Sequence, residues 1–324
     1  MSVAYRPWGD LDWLLGSISS NKFTLIGCLS TEERCLKTHE ILKNRGNLLS
    51  TAFLEIIDPN ETQQHQTNRY AWRERLNKLD KNVAISTHDL LCPIGDIYKL
   101  IKDLAANSNG KIILDISSFP KRFFFPITKL LLAHKAISTI LITYTVPEKY
   151  SAEDLSENPL TWQHIPMFDN DDPDVTYDLA LIGLGFVPLG LSSLFKDRFS
   201  NLRIKLMFPF PPGAPFFQRT WKFIEEMEIS PKIDSKDILR VDTMNLSEMF
   251  DAICSISDKR GILIAPYGPK TMSLAMCLYA CLTDSTVYYT QPTTYNPGYS
   301  QGATKCTGYC IKLNGQSLYN NADG

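Results

Sequence analysis

The sequence lacks a net charge of either sign. Its 33 Lys and Arg residues nearly balance 35 Asp and Glu residues, which leaves a formal net charge of −2. A broad basic face that holds duplex DNA through its phosphates is therefore not expected. The content of 44% hydrophobic and 21% charged residues is close to the average of folded proteins and excludes a disordered, collagen-like or coiled-coil chain. We expect a globular protein that binds any anion through a local cluster.

Long apolar stretches are also missing. An uncharged and largely apolar run, 179–195, is interrupted by Gly183, Gly185 and Pro188 and is shorter than the ~20 apolar residues of a membrane-spanning helix. The start, MSVAYRPWGD, has neither the basic nor the apolar region of a signal peptide. The eight cysteines are scattered through a long chain, which favours reduced thiols over a disulfide framework. These features predict a cytoplasmic protein without a membrane segment.

Common catalytic and metal-binding signatures do not occur. We find no Walker A motif, nucleophile elbow or H-E-x-x-H. The five histidines show no spacing typical of metal ligands. Cys306 and Cys310 would need two further ligands to hold zinc, and Cys277 and Cys281 fit buried thiols of an apolar helix. We predict no metal site and no cofactor, and leave open whether the protein is an enzyme.

Short apolar runs alternate with longer helical patterns along the whole chain. This alternation is typical of βα units around a mostly parallel sheet. In the first half, strands are predicted at 23–27, 49–57, 83–86, 111–116 and 138–144, with helices near 31–44, 67–79, 94–106 and 121–135. In the second half, strands are predicted at 177–183, 202–208, 238–242, 261–266 and 285–290, with helices near 188–196, 215–228, 246–258 and 270–282.

The two series also match each other locally. They share Leu-Ile-Gly at the end of the first strand, Pro-Lys after the fourth strand and Y-T-x-P-x-x-Y after the fifth. These matches lie at 25–27 and 181–183, at 120–121 and 269–270, and at 144–150 and 289–295. A nearly constant spacing between the copies indicates an internal repeat of about 150 residues, which is too long for a solenoid unit.

We therefore predict an α/β fold of two tandem Rossmann-like lobes, with mostly parallel sheets related by an internal duplication. The first lobe is placed at 1–150 and the second at 177–324, with 151–176 as a linker that contains the acidic run DNDDPD. The first lobe has an excess of Lys and Arg and the second an excess of Asp and Glu, so the first is the better host for an anion. We expect the ligand in a cleft between the lobes.

The loops after the first and fourth strands are the candidate binding loops, because ligands of open α/β sheets bind where the strand order reverses. After the first strand, Ser30 or Thr31 is placed to cap the following helix, whose N-terminal N–H groups could hold a phosphate. The alternative is that these hydroxyls act only as helix caps.

The loop after the fourth strand carries two hydroxyls and two cations, a set that suits a phosphate or another anion. These residues are Ser117, Ser118, Lys121 and Arg122. The alternative is that Lys121 and Arg122 are solvated side chains of a first helical turn. Pro126 disfavours a regular helix start, so 117–125 is expected to form an extended loop.

The second lobe supplies an equivalent pair of loops. Gly183 and Gly185 belong to GLGFVPLG, which resembles a glycine-rich phosphate turn but has Pro188 in place of the third glycine. The loop after its fourth strand adds three candidate residues, Tyr267, Gly268 and Lys270. The tyrosines of the Y-T-x-P-x-x-Y copies are expected either to stack on a base or peptide or to cap the ends of the sheets.

The loops of the first lobe resemble those of a known family. KIILDISSFPKRFFFPITKLLL is similar to the fourth-strand motif of CARF domains, the CRISPR-associated Rossmann-fold sensors, although Phe119-Pro120 replaces their glycine in the turn. FTLIGCLSTEER is similar to their first-strand loop. In that family, the loops of paired domains bind a cyclic oligonucleotide. The resemblance implicates Ser30, Thr31, Asp115, Ser117, Ser118, Lys121 and Arg122 in ligand binding.

The resemblance implies a sensor or regulatory protein that binds a nucleotide-like anion, in prokaryotic antiviral defence. Two other functions stay open. One is an enzyme that acts on a nucleotide or sugar phosphate, with Asp115 as acid or base and Lys121 as anion clamp. The other is a non-catalytic scaffold subunit of a multi-protein complex. The expected partners are a nucleotide-like small molecule and other proteins, and neither duplex DNA nor a membrane.

Overall fold

The computed structural model of the protein describes residues 5–18, 22–151, 156–170, 176–185, 202–210 and 233–320. The chain divides into two compact units. The first unit comprises 1–157 together with 293–319, and the second comprises 158–292 together with 320–324. The predicted helices near 188–196 and 215–228 lie outside the described residues.

Strands and helices alternate along the described residues. The strands are β1 (Trp8–Asp10), β2 (Phe23–Leu29), β3 (Leu48–Ile57), β4 (Ala84–Asp89), β5 (Lys111–Asp115), β6 (Thr139–Thr145), β7 (Lys149–Tyr150), β8 (Ser156–Pro159), β9 (Gln163–His164), β10 (Leu179–Gly183), β11 (Arg203–Pro209), β12 (Ile238–Val241), β13 (Leu263–Pro266), β14 (Thr286–Tyr289), β15 (Pro292–Tyr295), β16 (Ser300–Gln301), β17 (Cys306–Leu313) and β18 (Gln316–Ser317). The helices are α1 (Leu11–Ile18), α2 (Lys37–Arg45), α3 (Gln63–Leu79), α4 (Ile94–Ala106), α5 (Lys121–Ala133), α6 (Leu246–Ser257) and α7 (Lys270–Ala280). Short 3-10 turns lie at Glu33–Leu36 and Ser235–Asp237.

The sheet of the first unit is built on five parallel strands. They lie in the order β4, β3, β2, β5, β6. Numbered along the chain, this order is 3-2-1-4-5, which is that of a Rossmann fold. β17 pairs antiparallel with β6, and β1 pairs antiparallel with β17. Two small sheets pair β7 with β16 and β8 with β15.

Helices α1, α2 and α3 share an apolar core with the sheet of the first unit. This core includes Leu14, Leu42 and Leu76 from the three helices and Leu25 and Phe53 from β2 and β3. Each of these five side chains is at most 1% exposed. Complete burial of a leucine or phenylalanine side chain stabilises a protein by about 1.5–3 kcal/mol. The alternation of apolar strands and amphipathic helices in the sequence reflects this packing.

The sheet of the second unit repeats the order of the first. Its parallel strands lie in the order β12, β11, β10, β13, β14, again 3-2-1-4-5 along the chain. β9 pairs antiparallel with β14 at one edge. The predicted fold class is therefore confirmed: the chain forms two tandem Rossmann-like lobes with mostly parallel sheets, related by an internal duplication.

The boundaries of the two units differ from the predicted linker at 151–176 and the predicted second lobe at 177–324. Residues 293–319 belong to the first unit, and residues 158–170, which include β9, belong to the second. The cause is β17, whose first seven residues are all buried and which pairs with β6 over six residues. An exposed edge of β6 would leave backbone N–H and C=O groups unpaired, and β17 satisfies them.

The start of α5 also corrects an expectation. Residues 121–125 are helical rather than extended, and Pro126 lies inside the helix. Pro120 occupies the N-cap position, and its carbonyl accepts hydrogen bonds from the N–H groups of Phe123 and Phe124 at 3.0 and 3.1 Å. Proline is tolerated near a helix start because few N–H groups there have helical partners. Burial of the three adjacent phenylalanines, each at most 2% exposed, favours the helix.

Gly110 allows the backbone conformation of the turn before β5 to be tested. Its φ is +72°, and a Cβ would lie 2.7 Å from the carbonyl oxygen of Ala136. We expect Gly110→Ala to lower the free energy of unfolding by about 2–4 kcal/mol, because left-handed strain adds to a clash with backbone. Gly95→Ala is the matched control, since a Cβ there meets nothing within 4 Å and α4 gains a better helix former. Equal stability of the two variants in urea unfolding would contradict the turn geometry.

Candidate functional site

The C-terminal edge of the first unit's sheet carries the predicted first-lobe residues. The loops after β2, β5 and β6 are neighbours there, because β5 lies parallel between the other two strands. The strand order reverses between β2 and β5, since the chain builds β3 and β4 before it returns to β5. Ligands of doubly wound sheets bind at such a reversal. Ser30, Thr31, Ser117 and Ser118 all lie in the loops that flank it.

Ser30 and Thr31 do not cap a helix, contrary to expectation. The 3-10 turn after β2 has Glu32 as its N-cap residue and no side-chain cap hydrogen bond. The Ser30 hydroxyl accepts instead from the backbone N–H of Glu32 at 3.1 Å. The Thr31 carbonyl accepts from the indole N–H of Trp72 at 3.1 Å. Ser30 thus tightens its own loop, a common alternative to capping for a serine.

Asp115 and Ser117 are bound to each other inside the first unit. The carboxylate of Asp115 is 3% exposed and accepts from the backbone N–H of Ser117 at 2.9 Å and from its hydroxyl. The Ser117 hydroxyl also accepts from the N–H of Thr145 at 2.8 Å. Burial raises the pKa of Asp115, and hydrogen bonds from Ser117 and Thr38 together with the charge of Arg34 lower it in part. This pair fixes the loop after β5 to the end of β6, which leaves neither side chain facing solvent.

Ser118 and Lys121 continue this loop into α5. The Ser118 hydroxyl donates to the carbonyl of Cys28 at 2.7 Å, which ties the loops after β2 and β5 together. Lys121 is the first residue of α5 and is only 9% exposed. The alternative of a solvated Lys121 is therefore wrong.

Arg122 is half-buried in the first turn of α5. Its guanidinium donates to the carbonyl of Cys92 at 3.4 Å, and it forms no ion pair within the described ranges of the chain. Burial lowers the pKa of Arg122, which the nearby Cys92 raises in part. Buried charges in proteins are ordinarily paired. A cation in this position therefore suits an anionic ligand.

The glycines of the second unit's loops permit close packing. A Cβ on Gly183 would lie 2.6 Å from Cε of Met276, and a Cβ on Gly185 would lie 2.7 Å from Cδ of Pro269. A Cβ on Gly268 would clash with a methionine of α7. The loops after β10 and β13 thus approach each other too closely for side chains. Close packing alone therefore explains why glycine occupies these positions, and no bound phosphate is needed to explain them. A role of these glycines in ligand binding stays a prediction.

Tyr267 and Lys270 lie in the second unit where the repeat predicts them. Tyr267 is 5% exposed, and its hydroxyl lies 2.8 Å from Oγ1 of Thr290. Burial raises the pKa of Tyr267, so the phenol stays neutral. Lys270 begins α7 after an N-cap proline, as Lys121 begins α5. The two Pro-Lys pairs therefore occupy equivalent positions in the two units.

Arg34 is a functional candidate that sequence reasoning missed. It is 5% exposed and pairs with Glu32 at 2.8 Å. Its guanidinium also donates to the hydroxyl of Tyr144 at 3.4 Å and to the carbonyl of Thr145 at 3.3 Å. Burial alone would lower the pKa of Arg34, but Glu32 and the neighbouring tyrosines raise it. No local signal in the sequence indicated that Arg34 is buried at the end of β6.

A second missed group follows β3. The carboxylate of Asp58 accepts from the N–H of Tyr295 at 3.3 Å. His65 accepts at Nδ1 from the N–H of Thr62, so its proton lies on Nε2, which donates to the carbonyl of Tyr295 at 2.5 Å. The pKa of Asp58 is raised to about 6, chiefly by burial; the Tyr295 N–H and Arg69 oppose the rise and Glu61 adds to it. Asp58 and His65 thus bind the backbone N–H and C=O groups of Tyr295 in the C-terminal segment.

That segment, 293–301, lies along the C-terminal edge of the first unit's sheet, and we call it the strap. Thr293 accepts from Asn60 at 3.4 Å, in the loop after β3. The Ser300 hydroxyl donates to Glu32, in the loop after β2. Ser300 and Gln301 form β16, which pairs with β7 after β6. The strap therefore contacts the loops of three strands and passes the reversal between β2 and β5.

Other classes of site find no support in the described parts of the chain. None of the eight cysteines, all of which are described, forms a disulfide. Cys306 and Cys310 are both buried on β17, and within the described ranges no cluster of three His, Cys, Asp or Glu residues could hold a metal ion. No described helix combines the length and the apolar character needed to cross a membrane.

Comparisons with known proteins identify no family. No family model matches the sequence, and a search of curated proteins finds no match. The chain is similar to a putative universal stress protein from Pseudomonas aeruginosa UCBPP-PA14, with 11% identity over 83% of this chain and 93% of that one and a TM-score of 0.24. It is similar to a universal stress protein from Archaeoglobus fulgidus DSM 4304, with 10% identity over 84% and 97% and a TM-score of 0.25. TM-scores this low carry no argument about function, and the fold assignment depends on the strand order given above.

Proposed function

We propose that the first unit binds a phosphate-bearing, nucleotide-like ligand at the C-terminal edge of its sheet and that the protein acts as a sensor or regulatory component. The observation that carries the proposal is Arg122, a half-buried guanidinium without an ion pair among the described residues. Lys121 adds a second cation at the same helix start, where N–H groups favour anions. The fold supports the proposal because the reversal between β2 and β5 is the usual ligand position of this architecture.

The class of ligand comes from the resemblance to CARF domains. Ser30, Thr31, Ser118, Lys121 and Arg122 match the family's loops and remain candidates for ligand contact. Asp115 and Ser117 act instead by holding the loop in place, because their polar groups bond to each other and to β6. A role in prokaryotic antiviral defence is part of the proposal and has the resemblance as its only support. The buried position of Asp115 favours binding over catalysis by this carboxylate.

Calorimetric titration of the full chain tests the proposal. The probes are the ribonucleoside mono-, di- and triphosphates and cyclic tetra-adenylate. A charge-assisted hydrogen bond is worth about 1.5–3 kcal/mol, so Arg122→Ala should weaken binding of the active probe about ten- to hundredfold. Lys121→Ala should act in the same direction, and Lys270→Ala should do less because its turn has Tyr267 and Gly268 in place of the two serines.

Lys102→Ala is the matched control, since it removes an exposed positive charge from the neighbouring helix α4. It should leave the affinity unchanged. Chromatography of the probe after incubation separates a sensor, which returns it intact, from an enzyme. Equal affinity of the wild type and a Lys121→Ala/Arg122→Ala double variant would overturn the proposed site.

A further inference from the structure

The strap lies along the same edge of the sheet on which a ligand of the first unit would bind. A ligand that has its phosphate at the start of α5 and spans the reversal between β2 and β5 reaches the loop 30–32. The strap contacts that loop through Ser300, whose hydroxyl donates to Glu32. Glu32 in turn neutralises the buried guanidinium of Arg34 at 2.8 Å. The edge therefore already holds an internal carboxylate and a covering segment.

The strap is held by hydrogen bonds to neighbouring loops and by two short strand pairings outside the main sheet. At one end, β15 pairs with β8, and Thr293 and Tyr295 also form hydrogen bonds with Asn60, Asp58 and His65. At the other end, β16 pairs with β7 over only two residues. The ring of Tyr299 lies 5.4 Å from the ring of Tyr150 and is 3% exposed. Short pairings outside the central sheet of a domain open at lower free energies than core strands.

We propose that the strap is an autoinhibitory segment that covers the ligand edge of the first unit and is displaced when the ligand binds. This inference rests on the proposed function and adds its regulation. Ligand binding and strap opening are then coupled, and by linkage each favours the other by the same factor. The strap precedes β17 directly along the chain, so β17 anchors its C-terminal end while the segment moves.

His65→Gln is the sharpest variant of the strap. Glutamine at the third position of a helix can accept from the N-cap N–H, as His65 now does from Thr62, so the start of α3 keeps its capping box. Glutamine should not retain the hydrogen bond from Nε2 to the carbonyl of Tyr295. Ser300→Ala is a second variant, which removes the contact with Glu32 at the other end. Asn77→Ala, on the exposed face of α3, is the matched control.

Amide hydrogen exchange of the full chain measures strap opening. In the peptides that cover 293–301, we expect exchange to rise about two- to tenfold in His65→Gln and in Ser300→Ala, in line with the loss of one hydrogen bond. Peptides from β17 should stay as in the wild type, and Asn77→Ala should change neither region. Addition of ATP or cyclic tetra-adenylate, whichever binds in calorimetry, should raise exchange of the strap further.

The affinities of the variants for the probe distinguish a failure of this inference from a failure of the proposed function. If the strap covers the site, both loosened variants bind the probe more tightly than the wild type, by the factor seen in exchange. A probe that binds in an Arg122-dependent manner but with equal affinity to all variants, and that leaves strap exchange unchanged, would overturn the inference and leave the proposed function standing. Failure of every probe to bind the wild type and both loosened variants would overturn both.

Discussion

A chain truncated after Lys305 is expected to lose the folded first unit, although the truncation lies about 150 residues beyond the first lobe predicted from the repeat. The truncation removes β17, in which Tyr309, Cys310 and Ile311 are 0% exposed. Each large apolar side chain contributes about 1.5–3 kcal/mol when buried, and whole domains are stable by only about 5–15 kcal/mol. The edge of β6 would also be exposed, which favours aggregation.

Hydrogen exchange and size-exclusion chromatography of the truncated chain provide the measurement. β5 lies next to β6 in the sheet, and β2 lies next to β5. The amides of both strands should lose protection from exchange, and aggregates should appear. A chain that ends after Asn320 keeps β17 and β18 and serves as control. Tyr309→Ala is a graded version, expected to cost about 3–5 kcal/mol, since its ring also stacks on Trp8 at 5.9 Å. Wild-type protection of β2 in the truncated chain would show that β17 is dispensable for the first sheet.

The alternation of strands and helices in both units could be predicted from sequence because it depends on local signals. Most of the parallel strands are short runs of apolar residues, and helices such as α4 and α6 have an apolar face. Alternation and repetition alone therefore indicated two Rossmann-like lobes. β17 gave no such signal. CTGYCIKL has no counterpart at the same place in the first lobe, and its partner β6 lies more than a hundred residues earlier in the chain. Pairing across such a distance depends on tertiary structure and leaves little trace in local composition.

The candidate site was predictable in position but not in its hydrogen bonds. The Pro-Lys pair correctly placed Lys121 and Arg122 at the strand edge, because a repeated motif after the fourth strand has few other positions to take. The hydroxyl of Ser117 points inward to Asp115, and that direction follows from side-chain rotamers and the approach of Thr145. Arg34 was missed because its burial requires β6, which lies more than a hundred residues away along the chain.

Arg34→Ala is expected to lower the free energy of unfolding of the first unit by about 3–5 kcal/mol. The substitution leaves the carboxylate of Glu32 without its cation in a site where the side chain is 17% exposed. Loss of one partner from a buried ion pair is costly, because the remaining charge has lost its hydration and gains nothing in return. The hydroxyl of Tyr144 and the carbonyl of Thr145 lose a donor as well.

A double-mutant cycle with Glu32→Gln and Arg34→Met, followed by urea unfolding, isolates the pair. The double variant should recover much of the loss, because it removes both charges and keeps most of the buried volume. Arg75→Ala is the control: that arginine is 43% exposed in its side chain and pairs with Glu33 and Glu40. Exposed pairs contribute about 0–1 kcal/mol, so this variant should unfold nearly as the wild type does. Equal losses of unfolding free energy in Arg34→Ala and Arg75→Ala would mean that water reaches Arg34. That result would contradict the burial of Arg34 at the sheet edge beneath the strap.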